Sequence, residues 1–303
     1  MNILSKLCEG GWNIAYRTVL EGTILDETCT PFSLIPNTWR SWAADPFVFI
    51  HEGTTYVFAE LFDYLTRKGA IGYSRYVDGK WSKWRTVIDE SFHMSYPNIF
   101  SCNGQIYMVP ETSADRSLRL YRATSFPEKW ELEKVIATDA AWVDTTFFTN
   151  ENRLYAITTD IREYDNQKDI LLSFDNQWNL ISQDEIPEKQ NNLSRSGGNI
   201  IPIGNKKIRV TQDCTNHYGQ ALVFSRFDPH SLPDSGMGEI LLQLAPEDIS
   251  VRTPRKWTGL HTYNCAENIE VVDLERSHYN LAGLFGRLMW KIKNMSCKVA
   301  ENG

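Results

Sequence analysis

Residues 45–60 read DPFVFIHEGTTYVFAE: an apolar run, a turn that contains Gly53, and a second alternating run. Alternating apolar and polar residues on both sides of a short Gly-containing turn are typical of a β-hairpin. Three further segments have the same order and start at Tyr96, Asp144 and Gly197. A looser fifth copy begins near His261. An interval of about fifty residues, kept along the chain, indicates a series of similar structural units.

Each hairpin is followed by a second pair of alternating runs, often with a Trp at the turn (Trp81, Trp130 and Trp178). We interpret these Trp residues as blade packing. Four antiparallel strands in each of five units predict an all-β protein, a five-bladed β-propeller. A pair of β-sandwiches is the competing fold, but it would not repeat one cassette at a constant interval. The N-terminal stretch GGWNIAYRTVL is expected to close the last blade, which gives a propeller over 1–278 and a tail over 279–303.

Composition excludes several classes of function. The 303 residues carry a net charge of −7 without a basic stripe, so nucleic acid is not an expected partner. The six Cys are scattered without a C-x-x-C pair and are predicted to be reduced thiols. No apolar signal-peptide core and no run of 18 apolar residues occur, which favours a cytoplasmic protein. The six His lack ligand spacing, so neither a metal nor another cofactor is predicted.

The first strand of each blade lines the axis of a propeller, so the residues that enter these strands should converge. The equivalent positions are Asp45, Tyr96, Asp144, Gly197 and His261, with Arg195 nearby. The second strands end in polar residues, among them Glu60, Glu111, Gln212 and Asp213. We therefore expect a ring of carboxylates with one Arg and one His. Crowded carboxylates shift one another's pKa, and such pairs perform acid–base chemistry on glycosidic bonds. The alternatives are turn caps for the Asp residues and structural roles for Arg195 and His261.

The stretch ADPFV, at the start of the first of five blades, resembles the propellers of glycoside hydrolase families 43 and 32. That resemblance implies that Asp45 is a base or nucleophile and that Asp144 orients it and tunes its pKa. The general acid of those families is a Glu on a later blade, where this chain has Arg195 and Gly197. Glu111 would have to serve as the acid, or a different reaction takes place.

A closer resemblance is to the N-terminal propeller domain of plant glucosamine inositolphosphorylceramide transferase and its bacterial relatives. It is carried by WAADPFVF, SYPNIF, GQIYMVPET, FPEKWELEKVI, VDTTFF, SRSGGN, QDCTNHYGQAL and GLHTYN, in this order within roughly residues 40–265. The resemblance implies a role in glycan or glycolipid synthesis, and in bacterial members a role in surface-polysaccharide pathways.

We therefore predict a glycosyltransferase of bacterial polysaccharide or glycolipid synthesis that takes a sugar donor, in one form phosphate-activated, and a glycan or glycolipid acceptor. The predicted catalytic residues are Asp45, Glu111 and Asp144. The predicted substrate-binding residues are Glu60, Tyr96, Arg195, Gln212, Asp213, Tyr218 and His261, with Arg195 and His261 on the donor phosphate. A furanoside hydrolase and a non-catalytic glycan-binding propeller are the alternatives.

The tail changes character. Within 279–295, apolar residues recur at helical spacing among Arg287, Lys291 and Lys293. This pattern predicts a basic amphipathic helix that either lies on an anionic membrane surface or packs against the propeller. The membrane interpretation would place the protein peripherally on the inner membrane.

Overall fold

The protein is described here from a computed structural model. It describes residues 8–19, 24–26, 30–163, 167–187, 193, 195–204 and 206–300. For residues 8, 9, 26 and 293–300, the structure describes the backbone alone. Asn205, in the turn between the two runs of the fourth segment, lies outside the described residues, as does Cys29. The side chains of Cys8 and Cys297 are not described either. The other three cysteines, Cys102, Cys214 and Cys265, are free thiols, as predicted.

Five antiparallel sheets form the propeller and confirm the predicted fold. Two N-terminal strands are β1 (Cys8–Thr18) and β2 (Ser33–Leu34). The first blade contains β3 (Ser41–His51), β4 (Thr54–Asp63), β5 (Lys68–Val77), β6 (Lys80–Trp81) and β7 (Arg85–Ile88), the last two both paired with β5. The second contains β8 (Ser95–Cys102), β9 (Gln105–Glu111), β10 (Ser117–Ser125) and β11 (Lys129–Thr138).

The third blade contains β12 (Trp142–Asn150), β13 (Arg153–Asp160), β14 (Lys168–Phe174) and β15 (Leu180–Ile186). The fourth contains β16 (Ile201–Ile203), β17 (Lys206–Asp213), β18 (Ala221–Phe227) and β19 (Ile240–Leu244). The fifth begins with β20 (Tyr263–Ala266) and β21 (Ile269–Tyr279), after which the chain enters the helix α1 (Leu281–Ala300). Short 3₁₀ turns lie at Ile24–Asp26, Ser113–Asp115, Pro229–Ser231 and Pro246–Asp248.

The N-terminal segment completes the fifth blade. Strand β1 pairs with β21 along its whole length, and β2 pairs with β1 at Ala15–Leu34. The strand order is β20, β21, β1, β2, so the segment supplies two strands where the sequence indicated one. Pairing the two ends of the chain in one sheet closes the ring and protects strand edges that would otherwise be open.

The apolar core is divided among the blade interfaces. Five clusters of buried apolar side chains lie between neighbouring blades, one for each interface. Between the first and second blades, for example, Phe58 and Tyr73 pack near Tyr121. Trp178 is buried between the second and third blades, and Trp130 and Trp81 are partly buried at other interfaces. The predicted packing role of these Trp residues is confirmed.

Polar side chains join the inner strands at the axis. The Asn98 side chain accepts from the Phe147 amide at 3.1 Å and donates to the Asn199 side chain at 2.7 Å. The Asn199 amide donates to Asn264, whose own side-chain amide donates to the Pro46 carbonyl, both at 2.8 Å. This series of hydrogen bonds contacts all five blades, because each of the five residues belongs to a different one. Buried amides in a satisfied network of this kind fix the relative positions of the inner strands.

Helix α1 is the one element of the described chain that stands outside the sheets and is longer than a single turn. The side chain of Asn280 accepts from the Gly283 amide at 2.9 Å and so caps its first turn. Among the described residues, no helix combines the length and apolar character needed to cross a membrane.

Candidate active site

In each of the first three blades, a β-bulge occurs near the start of the inner strand, at the residue that was predicted to converge on the axis. Asp45, Tyr96 and Asp144 have φ angles of 51°, 43° and 50°, and the strand register shifts at each of them. Left-handed φ is uncommon for residues other than Gly and recurs where a bulge redirects a side chain. The same local distortion at three equivalent positions therefore belongs to the construction of the site.

In the fourth blade, a glycine adopts positive φ near the start of the inner strand. Gly198 has a φ of 143°, and a Cβ added there would lie 1.9 Å from the Tyr263 carbonyl oxygen. Only Gly permits both this backbone conformation and this close approach. The hydroxyl of Tyr96 contacts the Gly198 amide at 2.8 Å, the Gly198 carbonyl at 3.1 Å and the Thr146 hydroxyl at 2.8 Å. Tyr96 therefore ties the second blade to the third and fourth through a fully buried hydroxyl.

The carboxylate of Asp45 is held from several blades. One oxygen accepts from the Thr262 hydroxyl at 2.9 Å, and the other accepts from the Tyr96 amide at 3.1 Å. The Asp45 amide donates to Asp273 at 3.0 Å. His261 Nε2 lies 3.6 Å from Asp45 Oδ1, and His261 Nδ1 lies 2.6 Å from Asp273 Oδ2. Asp45, His261 and Asp273 are all buried, so this cluster is largely shielded from solvent.

Aromatic rings cover His261. The Trp12 ring stacks on the imidazole at a centroid distance of 3.9 Å and an interplanar angle of 10°. The Tyr218 ring meets the imidazole edge-on at 5.3 Å, and Tyr218 itself is 49% exposed. A ring that is half exposed beside buried ionisable groups marks the open side of the site, where a substrate can make contact.

A second cluster forms around Asp144. The Arg195 guanidinium donates to Asp144 Oδ2, and its other end lies 3.8 Å from Glu111 Oε2. The Gln212 amide donates to the same Asp144 oxygen at 2.9 Å and to the Ser196 carbonyl at 2.8 Å. The guanidinium also lies 5.1 Å from the centre of the Tyr218 ring, within range of a cation–π contact. Three blades therefore contribute to one ionic cluster.

Asp45 in the first cluster and Glu111 in the second have different pKa values. Burial raises the pKa of Asp45 to about 6, with the His261 charge opposing the rise and the Asp273 and Asp144 charges adding to it. Burial also raises the pKa of Glu111 to about 8, where the Asp144 charge adds and the Arg195 charge opposes. At neutral pH, Asp45 is mostly ionised and Glu111 is mostly protonated. An ionised and a protonated carboxyl group in one site are an acid–base pair.

Glu60 is a further buried carboxyl group at this end of the axis. Burial, together with the charges of Asp45 and Glu111, raises its pKa well above the ordinary value, so its neutral form is favoured. Its Oε1 has no hydrogen-bond partner among the described residues, although His93 Nε2 lies 3.4 Å away. Burial lowers the pKa of His93, which favours the uncharged imidazole. A protonated carboxyl group with an unused oxygen can donate to or accept from a sugar hydroxyl.

Asp45, His261 and Asp273 also form a group that could hold a metal ion, since their ligand atoms lie within 4.8 Å of one another. Burial opposes the charge on His261, but the Asp273 and Asp45 carboxylates outweigh it and raise the pKa to about 9. A proton therefore occupies the short contact between His261 and Asp273, and a cation would have to displace it. The prediction that no metal is used stays a prediction.

Most of the predicted site residues lie together. The two clusters contain Asp45, Glu111, Asp144, Arg195, Gln212, Tyr218 and His261, with Glu60 and Tyr96 beside them. Asp213 is engaged elsewhere: its oxygens accept from the Thr215 amide and from the Gln243 side chain. Gly197 supplies backbone only. Asp273, Thr262 and Trp12 were not predicted.

Comparison with known proteins shows the family to which the chain belongs. Residues 27–279 match the model of the family described as glucosamine inositolphosphorylceramide transferase 1, N-terminal. The chain belongs to this family. The curated relative from Arabidopsis thaliana, glucosamine inositolphosphorylceramide transferase 1, is 30% identical over 251 residues, which are 78% of this chain and 32% of that protein. The protein of that name from Oryza sativa subsp. indica is 28% identical over 233 residues, 74% of this chain and 31% of its own length. The chain thus spans about a third of the curated relatives.

Solved structures share the fold. The catalytic domain of the Coprinopsis cinerea GH62 α-L-arabinofuranosidase has a TM-score of 0.59 at 10% identity, covering 87% of this chain and 97% of that one. The native Bacillus subtilis arabinanase has a TM-score of 0.53 at 13% identity and covers 79% and 96%. At this identity the similarity establishes the five-bladed architecture.

Proposed function

We propose that the axial site catalyses glycosyl transfer, with Glu111 as the general acid and Asp45 as the nucleophile or base. The observation that carries this proposal is the convergence of Asp45, Glu111 and Asp144, one from each of the first three blades, at one end of the propeller axis. Burial supports the division of roles, because it raises the pKa of Asp45 to about 6 and that of Glu111 to about 8. General acid–base catalysis works best when the acid and the base have pKa values near the working pH. Family membership supports transfer, since the relatives that the chain resembles are named transferases.

The residues have distinct tasks. Glu111 gives its proton to the leaving oxygen as the glycosidic bond breaks. Ionised Asp45 either attacks the anomeric carbon or takes the proton of the incoming acceptor hydroxyl. Burial raises the pKa of Glu111, and the charge of Asp144 adds to this rise, so the acid stays protonated. Asp144 is itself held by hydrogen bonds from Arg195 and Gln212. If Asp45 is the nucleophile, ionised Glu111 takes the acceptor proton as the acceptor hydroxyl displaces Asp45 from the anomeric carbon, and both groups return to their starting states. If Asp45 is the base, it holds the acceptor proton after transfer, so Asp45 releases a proton to solvent and Glu111 takes one up before the next turnover.

The charges in the site indicate whether the donor carries a charged group at the point of contact. Arg195 and His261, which the sequence suggested for a donor phosphate, each lie against two carboxyl groups. A phosphate beside them would also face Asp45, Asp144 and Asp273. An uncharged glycoside avoids this repulsion, so we infer that Arg195 and His261 orient the carboxylates and that the donor is a neutral sugar at the point of contact.

The acceptor and the biological setting extend the same proposal. The names of the relatives combine an amino sugar with a ceramide-based lipid. We infer for this chain only the class, a glycan or glycolipid hydroxyl, and a place in polysaccharide or glycolipid synthesis. Hydrolysis is the second candidate, because the same acid and base would activate water equally well.

The test is product analysis with a panel of aryl glycosides, in the presence and absence of added sugar acceptors. We expect an acceptor-linked product from the wild type and a rate lower on the order of 10²–10⁴-fold for Asp45→Asn. Asp78→Asn is the matched control, because Asp78 has the same φ of 51° in an exposed turn. Free sugar as the only product would support hydrolysis instead, and binding without turnover would support a glycan-binding propeller.

A further inference from the structure

Helix α1 contacts the propeller through its smallest residues. Ala282, Gly283 and Gly286 are buried. A Cβ added at Gly286 would lie 1.9 Å from the Tyr64 carbonyl oxygen, so the helix backbone lies directly against the loop after β4. This close contact leaves the large side chains of the helix on its other faces.

Those other faces include an exposed apolar stripe. It consists of Leu281, Phe285, Leu288, Met289 and Ile292, which are between 49% and 84% exposed. The spacings of three and four residues place them on one side of the helix. Trp39, 73% exposed, lies beside the start of α1, where its carbonyl accepts from the Asn280 side chain at 3.2 Å. Apolar side chains in one continuous patch of this kind mark a binding surface.

The helix is also basic. It contains Arg287, Lys291, Lys293 and Lys298 and no acidic residue, in a chain whose net charge is −7. A two-fold contact between identical copies of this face would bring like charges together, which opposes self-association. An apolar stripe flanked by cations suits an anionic surface with an apolar interior.

A cavity of about 410 Å³ adjoins the start of the helix. Its lining includes Asn13, Asn37, Arg255, Arg276, His278 and Asn280. Arg276 Nε is buried without a hydrogen-bond partner, and no acidic partner of Arg255 or Arg276 occurs in the described part of the chain. Burial and the nearby Arg255 charge lower the pKa of Arg276. Two guanidinium groups that lack a carboxylate partner among the described residues provide a site for a phosphate group in this cavity.

The helix and the cavity lie at the same end of the propeller as the axial site. Strand β4 passes Glu60 and ends at Asp63, immediately before Tyr64, which lines the cavity. Strand β21 runs in the same direction from Asp273 to Arg276, a distance of about 10 Å at about 3.3 Å per residue. A surface that contacts α1 would therefore lie beside the opening of the axial site.

We propose that α1 and the Arg255–Arg276 cavity dock the protein on a membrane that contains anionic phospholipid. The apolar stripe enters the boundary between headgroups and acyl chains, Arg287 and Lys291 face the headgroups, and the cavity receives a lipid phosphate. This docking does not depend on the proposed sugar chemistry, although it would bring a lipid-linked acceptor to the axial site.

The test is co-sedimentation of the full chain with vesicles of phosphatidylcholine alone or with added phosphatidylglycerol. We expect binding to the anionic vesicles that weakens as salt is raised. Phe285→Gln combined with Leu288→Gln should weaken binding by at least about tenfold, because two large apolar side chains are lost from the membrane. Arg276→Gln should weaken it by about fivefold.

Ile181→Gln is the matched control, since Ile181 is 66% exposed on β15, outside this face, and should leave binding unchanged. Urea unfolding of each variant checks that the propeller is intact. Equal binding to neutral vesicles, no binding at all, or wild-type binding by the double variant would overturn the proposal. A wild-type dimer that the double variant converts to monomers, without vesicle binding, would overturn it in favour of self-association. No sugar is present, so these outcomes are independent of the transferase test.

Discussion

Glu111→Gln should make the protein more stable at alkaline pH while removing the proposed general acid. The Glu111 pKa rises from 4.5 to about 8 on folding, chiefly because of burial. The folded state therefore holds this proton more tightly than the unfolded chain, and ionisation of Glu111 opposes folding as pH rises from 4.5 through about 8. Gln has the same shape and never ionises, so it avoids this penalty. The stability gain of the variant should grow by about 4 kcal/mol between about pH 5 and about pH 9.

The assay is urea unfolding of both proteins at these two pH values, followed by Trp fluorescence. The other buried groups titrate in both proteins, so the difference between the two curves isolates the contribution of Glu111 and its couplings. Glu131→Gln, at an exposed position on β11, is the control for the exchange of a carboxyl group for an amide. A growth below about 1 kcal/mol for Glu111→Gln would refute the assignment of a raised pKa to Glu111.

Three further changes test the construction of the site. Asp273→Asn removes the partner of buried His261, so it should cost about 3–5 kcal/mol and lower the His261 pKa in an NMR titration; an unchanged pKa contradicts the pairing. Tyr96→Phe leaves the Gly198 amide without its acceptor and should cost about 1–3 kcal/mol in urea unfolding, whereas a neutral result contradicts the role of the hydroxyl. Gly286→Ala should detach α1 and speed tryptic cleavage within the helix; cleavage at the wild-type rate contradicts close docking.

The repeat made the fold predictable, because strand alternation and turn residues are local signals that survive divergence between blades. DPFVF and its counterparts identified the inner strands, and convergence at the axis followed from the architecture. Of the two strands that the N-terminal segment contributes, the sequence predicted only one. Strand β2 is two residues long and carries no alternation that could reveal it.

The site was predictable where residues sit at repeated positions. Asp45, Glu111 and Asp144 were found in this way. Asp273 was missed because the fifth hairpin is shorter, so the spacing used for the other blades passes over it. Trp12 comes from the opposite end of the chain, and only the closed ring brings its side chain onto His261.

Asp213 shows the converse. It occupies a repeated position, but neighbouring groups on its own blade take both of its oxygens. A repeated position in the sequence predicts where a side chain leaves the backbone. The hydrogen-bond donors around it determine whether its oxygens remain available to the axial site. The exposed stripe of α1 likewise required the structure, because helical spacing alone does not show which side faces the propeller.

The pH dependence of kcat/KM for glycosyl transfer tests the central assignment most directly. The rate should rise as Asp45 ionises at about pH 6 and fall as Glu111 deprotonates at about pH 8, with a maximum between them. In Glu111→Gln, the residual rate should keep the acid limb and lose the alkaline limb. A flat profile, or an alkaline limb that persists in Glu111→Gln, would contradict the division of acid and base between these two residues.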